Sequence, residues 1–229
     1  IVNVQRGGPS TGLPTKTEQS DLFKALFGRN GESPVVVMAS STPTNCFDNA
    51  FYAAKIALEH MTPVILLSYG FLANGTAPWK IPDLADFPSI TAPIIKEYRE
   101  GWSPYQRNPE TLVRSWAIPG TPGLQHRIGG LEKDFNTGTI SHDAINHQKM
   151  VDTRQAKVQK IADFIPELEV FGPDDAQLLV VGWGGTFGHL QSAVDHMNDN
   201  GYKVAFAHFS YICPLPKNSF EVLTKYPKV

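Results

Sequence analysis

The densest concentration of chemistry-bearing residues is Gln5-Arg6-Gly7-Gly8-Pro9-Ser10-Thr11-Gly12-Leu13-Pro14-Thr15-Lys16-Thr17. It follows an apolar run, Ile1–Gln5, that reads as a strand, and it precedes a helical pattern at Thr17–Phe27. The loop after a strand and before a helix is where open α/β sheets bind ligands. Its three glycines let backbone N–H groups approach an anion, and Ser10, Thr11 and Thr15 add hydroxyl donors. Arg6, at the strand's end, can grip a carboxylate through two parallel hydrogen bonds. On spacing alone another reading stays open, a turn-rich loop whose arginine makes a structural ion pair.

Three familiar motifs nearly fit and fail. Gly7 and Gly12 have the spacing of a phosphate-binding P-loop, but Leu13-Pro14 stands where Gly-Lys-Ser/Thr should continue. Gly8-Pro9-Ser10-Thr11-Gly12 matches the nucleophile elbow of α/β-hydrolases, which needs a helix starting directly after the serine; Pro14 delays that helix to about Thr17. Gly182-Trp183-Gly184-Gly185-Thr186-Phe187-Gly188 falls short of a dinucleotide fingerprint, because its third glycine is one place late and no acid ends the next strand at Tyr202-Lys203-Val204. It reads as a tight strand–helix turn. His142 and His147 are five apart, which turns them away from each other on a helix, and no metal-ligand spacing supports His126, Glu132 and Asp134.

The elements that would position these groups alternate. Strand runs at Ile1–Gln5, Pro34–Ala39 and Pro63–Ser68 are separated by helical patterns at Thr17–Phe27 and Thr44–His60, which implies βαβ units and a parallel sheet. From Leu72 to Ile140 prolines, glycines and scattered tryptophans break the pattern; the aromatics point to a packed segment of irregular hairpins covering the sheet edge. A long helix opens at Ser141, which can cap it, with Ile145, Val151, Val158, Ile161 and Ile165 on one face and Pro166 ending it. Its spacing suits a connector between two domains. After Gly172-Pro173 a second unit begins: strand Gln177–Val181, turn 182–186, helix Phe187–Asn200, strand Lys203–His208 and helix Lys217–Tyr226.

With 229 residues, 41% of them hydrophobic, and a net charge of −2, the chain can bury real cores and carries no basic footprint for nucleic acid or an anionic membrane. No apolar run reaches the roughly 18–20 residues that cross a bilayer. Two distant cysteines, Cys46 and Cys213, fit a reducing cytoplasm and cannot supply the four ligands of an iron–sulfur cluster. Ile1 opens inside a strand and Lys228-Val229 stops without a closing element, so the sequence is expected to be a fragment.

The stretch from Gln5 through Thr17-Glu18-Gln19-Ser20-Asp21-Leu22 resembles the signature loop of the α subunit of 2-oxoacid:ferredoxin oxidoreductases. Gly129-Gly130-Leu131-Glu132 through Gly138, with His147, Met150, Arg154 and Lys157, and then Gln177–Gly188 agree with that family in the same order. Lys133 departs from it, standing where the family often has His. The resemblance implies an α/β fold of two Rossmann-like parallel-sheet domains. Residues 1–125 would be the C-terminal half of a pyrimidine-binding domain with an irregular extension, 126–171 a connecting segment and helix, and 172–229 a truncated transketolase C-terminal-like domain. It further implies an enzyme that oxidatively decarboxylates a 2-oxoacid, with 2-oxoglutarate expected and pyruvate or a branched 2-oxoacid as alternatives, yielding the coenzyme A thioester and reducing ferredoxin. Thiamine diphosphate would be shared with a β subunit that holds the magnesium and the iron–sulfur cluster, and the glutamate that activates the aminopyrimidine would precede Ile1. Arg6 would be catalytic and would bind substrate with Ser10, Thr11 and Thr15. The fragment alone would be inactive. A non-catalytic assembly module is the alternative from another class.

Overall fold

The computed structural model describes residues 1–10, 12–13 and 16–229. In chain order its elements are β1 (Val2–Gln5), α1 (Leu22–Phe27), β2 (Val36–Ala39), α2 (Asn45–Glu59), β3 (Val64–Tyr69), α3 (Gly70–Asn74), β4 (Ile94–Ile95), β5 (Trp116–Ala117), α4 (Ala144–Lys160), β6 (Val170–Phe171), β7 (Leu178–Trp183), α5 (Phe187–Asp199), β8 (Val204–Phe209), β9 (Tyr211–Cys213) and α6 (Ser219–Lys225).

Two sheets carry the fold. The first has the order β1-β3-β2-β9, with β1, β3 and β2 parallel and β9 added antiparallel to β2. The second has the order β6-β8-β7, with β7 and β8 parallel and β6 antiparallel. The mixed, mainly parallel α/β class expected from alternating strands and helices is present.

The alternation of side chains along β2 explains the layering of the first sheet. Val36 and Met38 face a core shared with Ile56 of α2, Val158 at the end of α4, and Ile161 and Tyr211; Val37 and Ala39 face the opposite way, toward Ala25 of α1. All four β2 residues are fully buried, as a strand covered on both faces must be. The second sheet repeats the arrangement: Ala205, Ala207 and Phe209 pack with Val222 and Tyr226 around α6, while Val204 and Phe206 pack with Val194 of α5. β9 was invisible to sequence pattern. It is a three-residue strand that follows β8 after Ser210 and joins the other sheet, Tyr211 opposite Met38 and Cys213 opposite Val37.

Several expectations are corrected. The helix expected over Thr17–Phe27 starts only at Leu22, because the preceding residues spend their hydrogen bonds elsewhere: the Asp21 N–H donates to the Gln5 side chain at 3.0 Å, and Gln19 reaches the other sheet. The cap of α4 is Asp143, whose carboxylate accepts from the Asn146 N–H at 2.7 Å, and Ser141 lies outside the helix. The expected apolar face holds at its C-terminal end, where Val158 and Ile161 are buried and Ile165 packs on the same core, but at the N-terminal end Asn146 and Met150 are buried and Ile145 is 80% exposed. Asn146 is buried because it binds the preceding loop, donating to the Lys133 carbonyl at 2.9 Å and accepting from the Phe135 N–H at 2.9 Å.

The irregular stretch packs chiefly on helices rather than on a sheet edge. Phe87 packs at a tilt against Phe51 with centroids 4.6 Å apart, Trp79 lies 5.4 Å from Phe47, and the Thr91 N–H donates to Glu59, so residues 79–91 run along the outer face of α2. Beyond it come a two-residue parallel ladder, β4 on β5, and antiparallel bridges between Arg107 and Arg114 and between Lys133 and Ile140. The Lys133 ammonium donates to the carbonyls of Gly129 and Leu131 and is buried, a structural role for the residue that departs from the family pattern.

Candidate functional site

β1 ends in Gln5, a fully buried amide that ties down both ends of the loop that follows. Its Nε2 donates to the Ser68 carbonyl at 3.2 Å, and its Oε1 accepts from the Asp21 N–H at 3.0 Å. Asn3 adds a bond from Nδ2 to the Asp21 carboxylate at 3.1 Å. Between these anchors the loop doubles back on itself. Gly7 and Leu13 form an antiparallel bridge, the Leu13 N–H donates to Gly7 O at 3.0 Å, and the Gly12 N–H donates to Pro9 O at 3.1 Å. Gly12 is obligatory here. Its φ is +46°, and a Cβ would sit 1.4 Å from Gly7 O.

Arg6 and Ser10 are both exposed on this loop, and Arg6 forms no ion pair among the described residues. Thr11 and Thr15, the other two residues singled out from sequence, lie outside the described residues. The loop therefore presents a guanidinium with free donors at the C-terminal end of β1, where an open parallel sheet offers its ligand crevice.

The C-terminal end of the second sheet faces the same place. β7 ends at Trp183, and the tight turn Gly184–Thr186 docks on the first sheet. The Gly185 N–H donates to Gln19 Oε1 at 2.8 Å, and the Tyr69 hydroxyl at the end of β3 donates to the Gly185 carbonyl at 3.2 Å. A Cβ on Gly184, at φ +60°, would meet Gln19 Oε1 at 2.1 Å; one on Gly185 would meet the Tyr69 hydroxyl at 1.9 Å. These two glycines let the sheet ends approach. Tyr69 is almost wholly buried, and burial raises its phenol above the usual value.

His208, near the end of β8, lies beside the same turn. Burial among Phe187 and Phe206 pushes its pKa down to about 4, although hydrogen bonds to the backbone of Gly184 and Trp183 pull the other way. Its Nε2 has no partner among the described residues. Sequence reading missed Gln5, Gln19, Tyr69 and His208 as members of this junction. Gln5 and Gln19 lay in the quoted motif, but nothing local indicates that an amide there binds a turn more than 160 residues away.

No group of three or more His, Cys, Asp or Glu is placed to hold a metal ion among the described residues. His147 bonds Glu132 at 2.8 Å, which absorbs both as a surface pair, and Cys46 and Cys213 are free thiols. No helix among the described residues is long and apolar enough to cross a membrane.

The two α/β sheets meet at their strand ends through Tyr69, Gln19 and the Gly184–Thr186 turn, and the loop carrying Arg6 lies at the end of β1 in the same region. Residues 1–144 match the family described as pyruvate flavodoxin/ferredoxin oxidoreductase, thiamine diphosphate-binding. The chain belongs to that family. It is 53% identical over its whole length to the 2-oxoglutarate oxidoreductase subunit KorA of Mycobacterium tuberculosis, covering 35% of that protein. Over 95% of its length it is 27% identical to the 2-oxoglutarate synthase subunit KorA of Methanothermobacter thermautotrophicus, covering 57% of it. The fold is similar, with a TM-score of 0.83 and 33% identity, to a 2-oxoglutarate:ferredoxin oxidoreductase from Magnetococcus marinus solved with 2-oxoglutarate, coenzyme A and succinyl-CoA bound; the match covers 96% of this chain and 38% of that one. The chain thus spans about a third of the length of the Mycobacterium and Magnetococcus relatives and rather more than half of the Methanothermobacter one.

Proposed function

We propose that this chain forms part of the α subunit of a thiamine-diphosphate-dependent oxidoreductase that converts 2-oxoglutarate and coenzyme A to succinyl-CoA, carbon dioxide and reduced ferredoxin. The observation that carries this reading is the exposed Arg6, without an ion pair among the described residues, on a folded-back loop where the ends of both sheets meet. Family membership and the 2-oxoglutarate named for three relatives support the substrate.

Thiamine diphosphate, when bound, would supply the nucleophilic carbon for chemistry at the substrate's C2 carbonyl. The residues present fit the substrate end of this chemistry, since the loop offers a cation and hydroxyls. They do not fit the metal end, since the described carboxylates and histidines form no metal-holding group. In this proposal residues 1–125 hold the aminopyrimidine end of the cofactor, 126–171 connect, and 172–229 form the transketolase C-terminal-like domain. The diphosphate, its magnesium and the iron–sulfur cluster sit on a β subunit, and the enzyme works in the cytoplasm.

Arg6 binds the carboxylate next to the reacting carbonyl, with Ser10, Thr11 and Thr15 orienting the substrate oxygens. Gln5 and Gln19 hold the loop at fixed position without competing for Arg6, because a neutral amide forms no ion pair with a guanidinium. Removing one charged donor of this kind costs about 2–4 kcal/mol of transition-state stabilisation, which corresponds to roughly a 30- to 1000-fold loss. Arg6→Ala in the full-length enzyme, assembled anaerobically with its β subunit, should therefore lose that much kcat/KM for ferredoxin or methyl viologen reduction. Near-normal kcat/KM would remove Arg6 from the site. Comparing 2-oxoglutarate, pyruvate and 2-oxoisovalerate fixes the substrate, and no turnover on any of the three by a well-formed complex with an intact cluster would favour an assembly module.

A further inference from the structure

At the other end of the first sheet, away from Arg6, a cavity of about 190 Å³ opens between the bridged segments around Arg107 and Arg114 and the last turns of α4. Met61, which lines it, precedes β3, so the cavity lies off the N-terminal ends of the strands whereas Arg6 lies off the C-terminal ends. Four cationic side chains line it, Arg107, Arg114, Arg154 and Lys157, and no carboxylate does.

Only one of the four is neutralised. Arg154 pairs with Glu32 at 2.5 Å and lies 3.8 Å from Glu132, both outside the cavity lining. The Arg107 guanidinium donates to neutral acceptors alone, the carbonyls of Tyr105 at 3.1 Å and Phe135 at 2.8 Å and the Met150 sulfur at 3.4 Å, and lies 4.4 Å over the Phe135 ring. Lys157 uses one N–H on the Met61 carbonyl at 2.8 Å, leaving two donors. Arg114 lies 4.5 Å over the Tyr105 ring and has no ion pair or side-chain hydrogen bond among the described residues. Three cations thus share a small, half-enclosed space without a counter-charge.

We propose that this cavity is a binding site for a dianionic phosphoryl group. The forked guanidinium donors of Arg107 and Arg114 and the point charge of Lys157 suit the tetrahedral oxygens of phosphate. The volume equals about six waters at roughly 30 Å³ each, enough for a phosphate with some hydration and below the roughly 300 Å³ at which pockets take whole organic ligands. Two of the three non-glycine residues with positive φ among the described residues, Met61 at +49° and Leu112 at +58°, both line it. Backbone held in that sparsely populated region concentrates at ligand sites, where the surroundings over-determine it. The like charges also act on one another: burial, then Arg114 and Arg107, bring Lys157 down to about 8. Burial and Arg114 likewise lower Arg107. A bound dianion reverses the part of this that comes from the neighbouring cations.

The test is thermal unfolding and calorimetric titration of the full-length protein with inorganic phosphate, against sodium chloride matched for ionic strength, in parent, Arg114→Gln and Lys157→Met. Phosphate should bind saturably and raise Tm in the parent, and each variant should bind at least tenfold more weakly. Without phosphate, Arg114→Gln should be no less stable than the parent, since it removes one of three mutually repelling charges; a purely structural arginine would give a loss. Coenzyme A, which carries phosphate esters, forms a second arm. An Arg114-dependent rise with coenzyme A but not with phosphate would mean the phosphoryl group arrives on a larger ligand, and the site stands. No saturable response to either, or equal responses in parent and variants, overturns the proposal and means that the counter-charge comes from another part of the assembly.

Discussion

Gln19 and Gly184 should be energetically coupled across the two sheets, and the size of the coupling follows from a single shared hydrogen bond. Gly184 has φ +60°, so alanine there adopts the left-handed region at a cost of about 1–2 kcal/mol. Its new Cβ would lie 2.1 Å from Gln19 Oε1, and the next nearest atoms also belong to the Gln19 side chain. The flexible amide can swing away, but doing so gives up its bond from the buried Gly185 N–H, a loss of about 1–2 kcal/mol for a donor left unsatisfied. Gly184→Ala should therefore destabilise by about 2–4 kcal/mol. Gln19→Ala loses the same hydrogen bond and, besides it, only the long one from Nε2 to the Trp183 carbonyl at 3.5 Å, so it should cost about 1–2 kcal/mol. In the double variant that bond is lost only once. The double should be no worse than Gly184→Ala alone, a coupling of about 1–2 kcal/mol relative to the additive sum. Urea unfolding of the full-length protein, followed through tryptophan fluorescence with Trp183 beside the turn, measures all three. Additivity to within about 0.5 kcal/mol would refute the reasoning, because it would mean that the Gln19 amide is not the group that meets the turn.

The remaining predictions concern acid stability and a helix cap. The unfolded chain protonates His208 near the ordinary 6.5, while the folded chain resists until about 4; stability is full above 6.5 and falls as pH drops through that window. Discounted for the solvent that still reaches the ring, the loss is on the order of 1–2 kcal/mol, and His208→Gln should flatten the acid limb of the urea midpoint against pH by that amount; an unchanged slope would assign the acid sensitivity elsewhere, with His60, also lowered by burial and lacking an Nδ1 partner, next in line. Asp143→Ala should destabilise by about 1 kcal/mol through loss of the α4 cap, and Ser141→Ala by less than about 0.5 kcal/mol; the reverse ranking would restore Ser141 as the cap.

The parts of the fold legible in sequence were those where one segment declares its own environment. Val35-Val36-Val37-Met38 reads as a buried strand because both of its faces are covered, and α2 and α5 read as helices because their apolar residues recur on one side. What stayed hidden depends on partners far along the chain. β9 has three residues, too few for any period, and is a strand only because β2 offers an edge. The first turns of α4 were misjudged because Asn146 is buried by its bonds to the loop at Lys133 and Phe135 while Ile145 is left outside; Val158 and Ile161 are buried as expected. Arg6 and its loop were visible as a pattern of donors, but the turn at Gly184 and Gly185 was read as a local strand–helix turn. It is that turn, and its glycines also allow the close approach of Gln19 and Tyr69, which the sequence did not show.

That junction also explains how an exposed arginine can be kept available beside a tightly held loop. A loop can be fixed by carboxylates or by amides, and the choice decides the fate of any cation it carries. A carboxylate close to Arg6 would bind it in two-pronged fashion, hold it in place, and compete with an incoming substrate carboxylate. Here the bonds that tie the loop's flanks run through Gln5 and Gln19, which satisfy backbone N–H and carbonyl groups of Asp21, Ser68 and Gly185 without adding charge. Of the nearby carboxylates, Asp21 is engaged by Asn3, and Glu18, whose Oε2 lies 3.6 Å from where a Cβ on Gly7 would sit, forms no ion pair with Arg6 among the described residues. Changing Gln19 to Glu would keep the acceptor for the Gly185 N–H while bringing a negative charge to the same crevice. If Arg6 acts on substrate as proposed, that change should raise KM for the 2-oxoacid more than it lowers the stability of the junction.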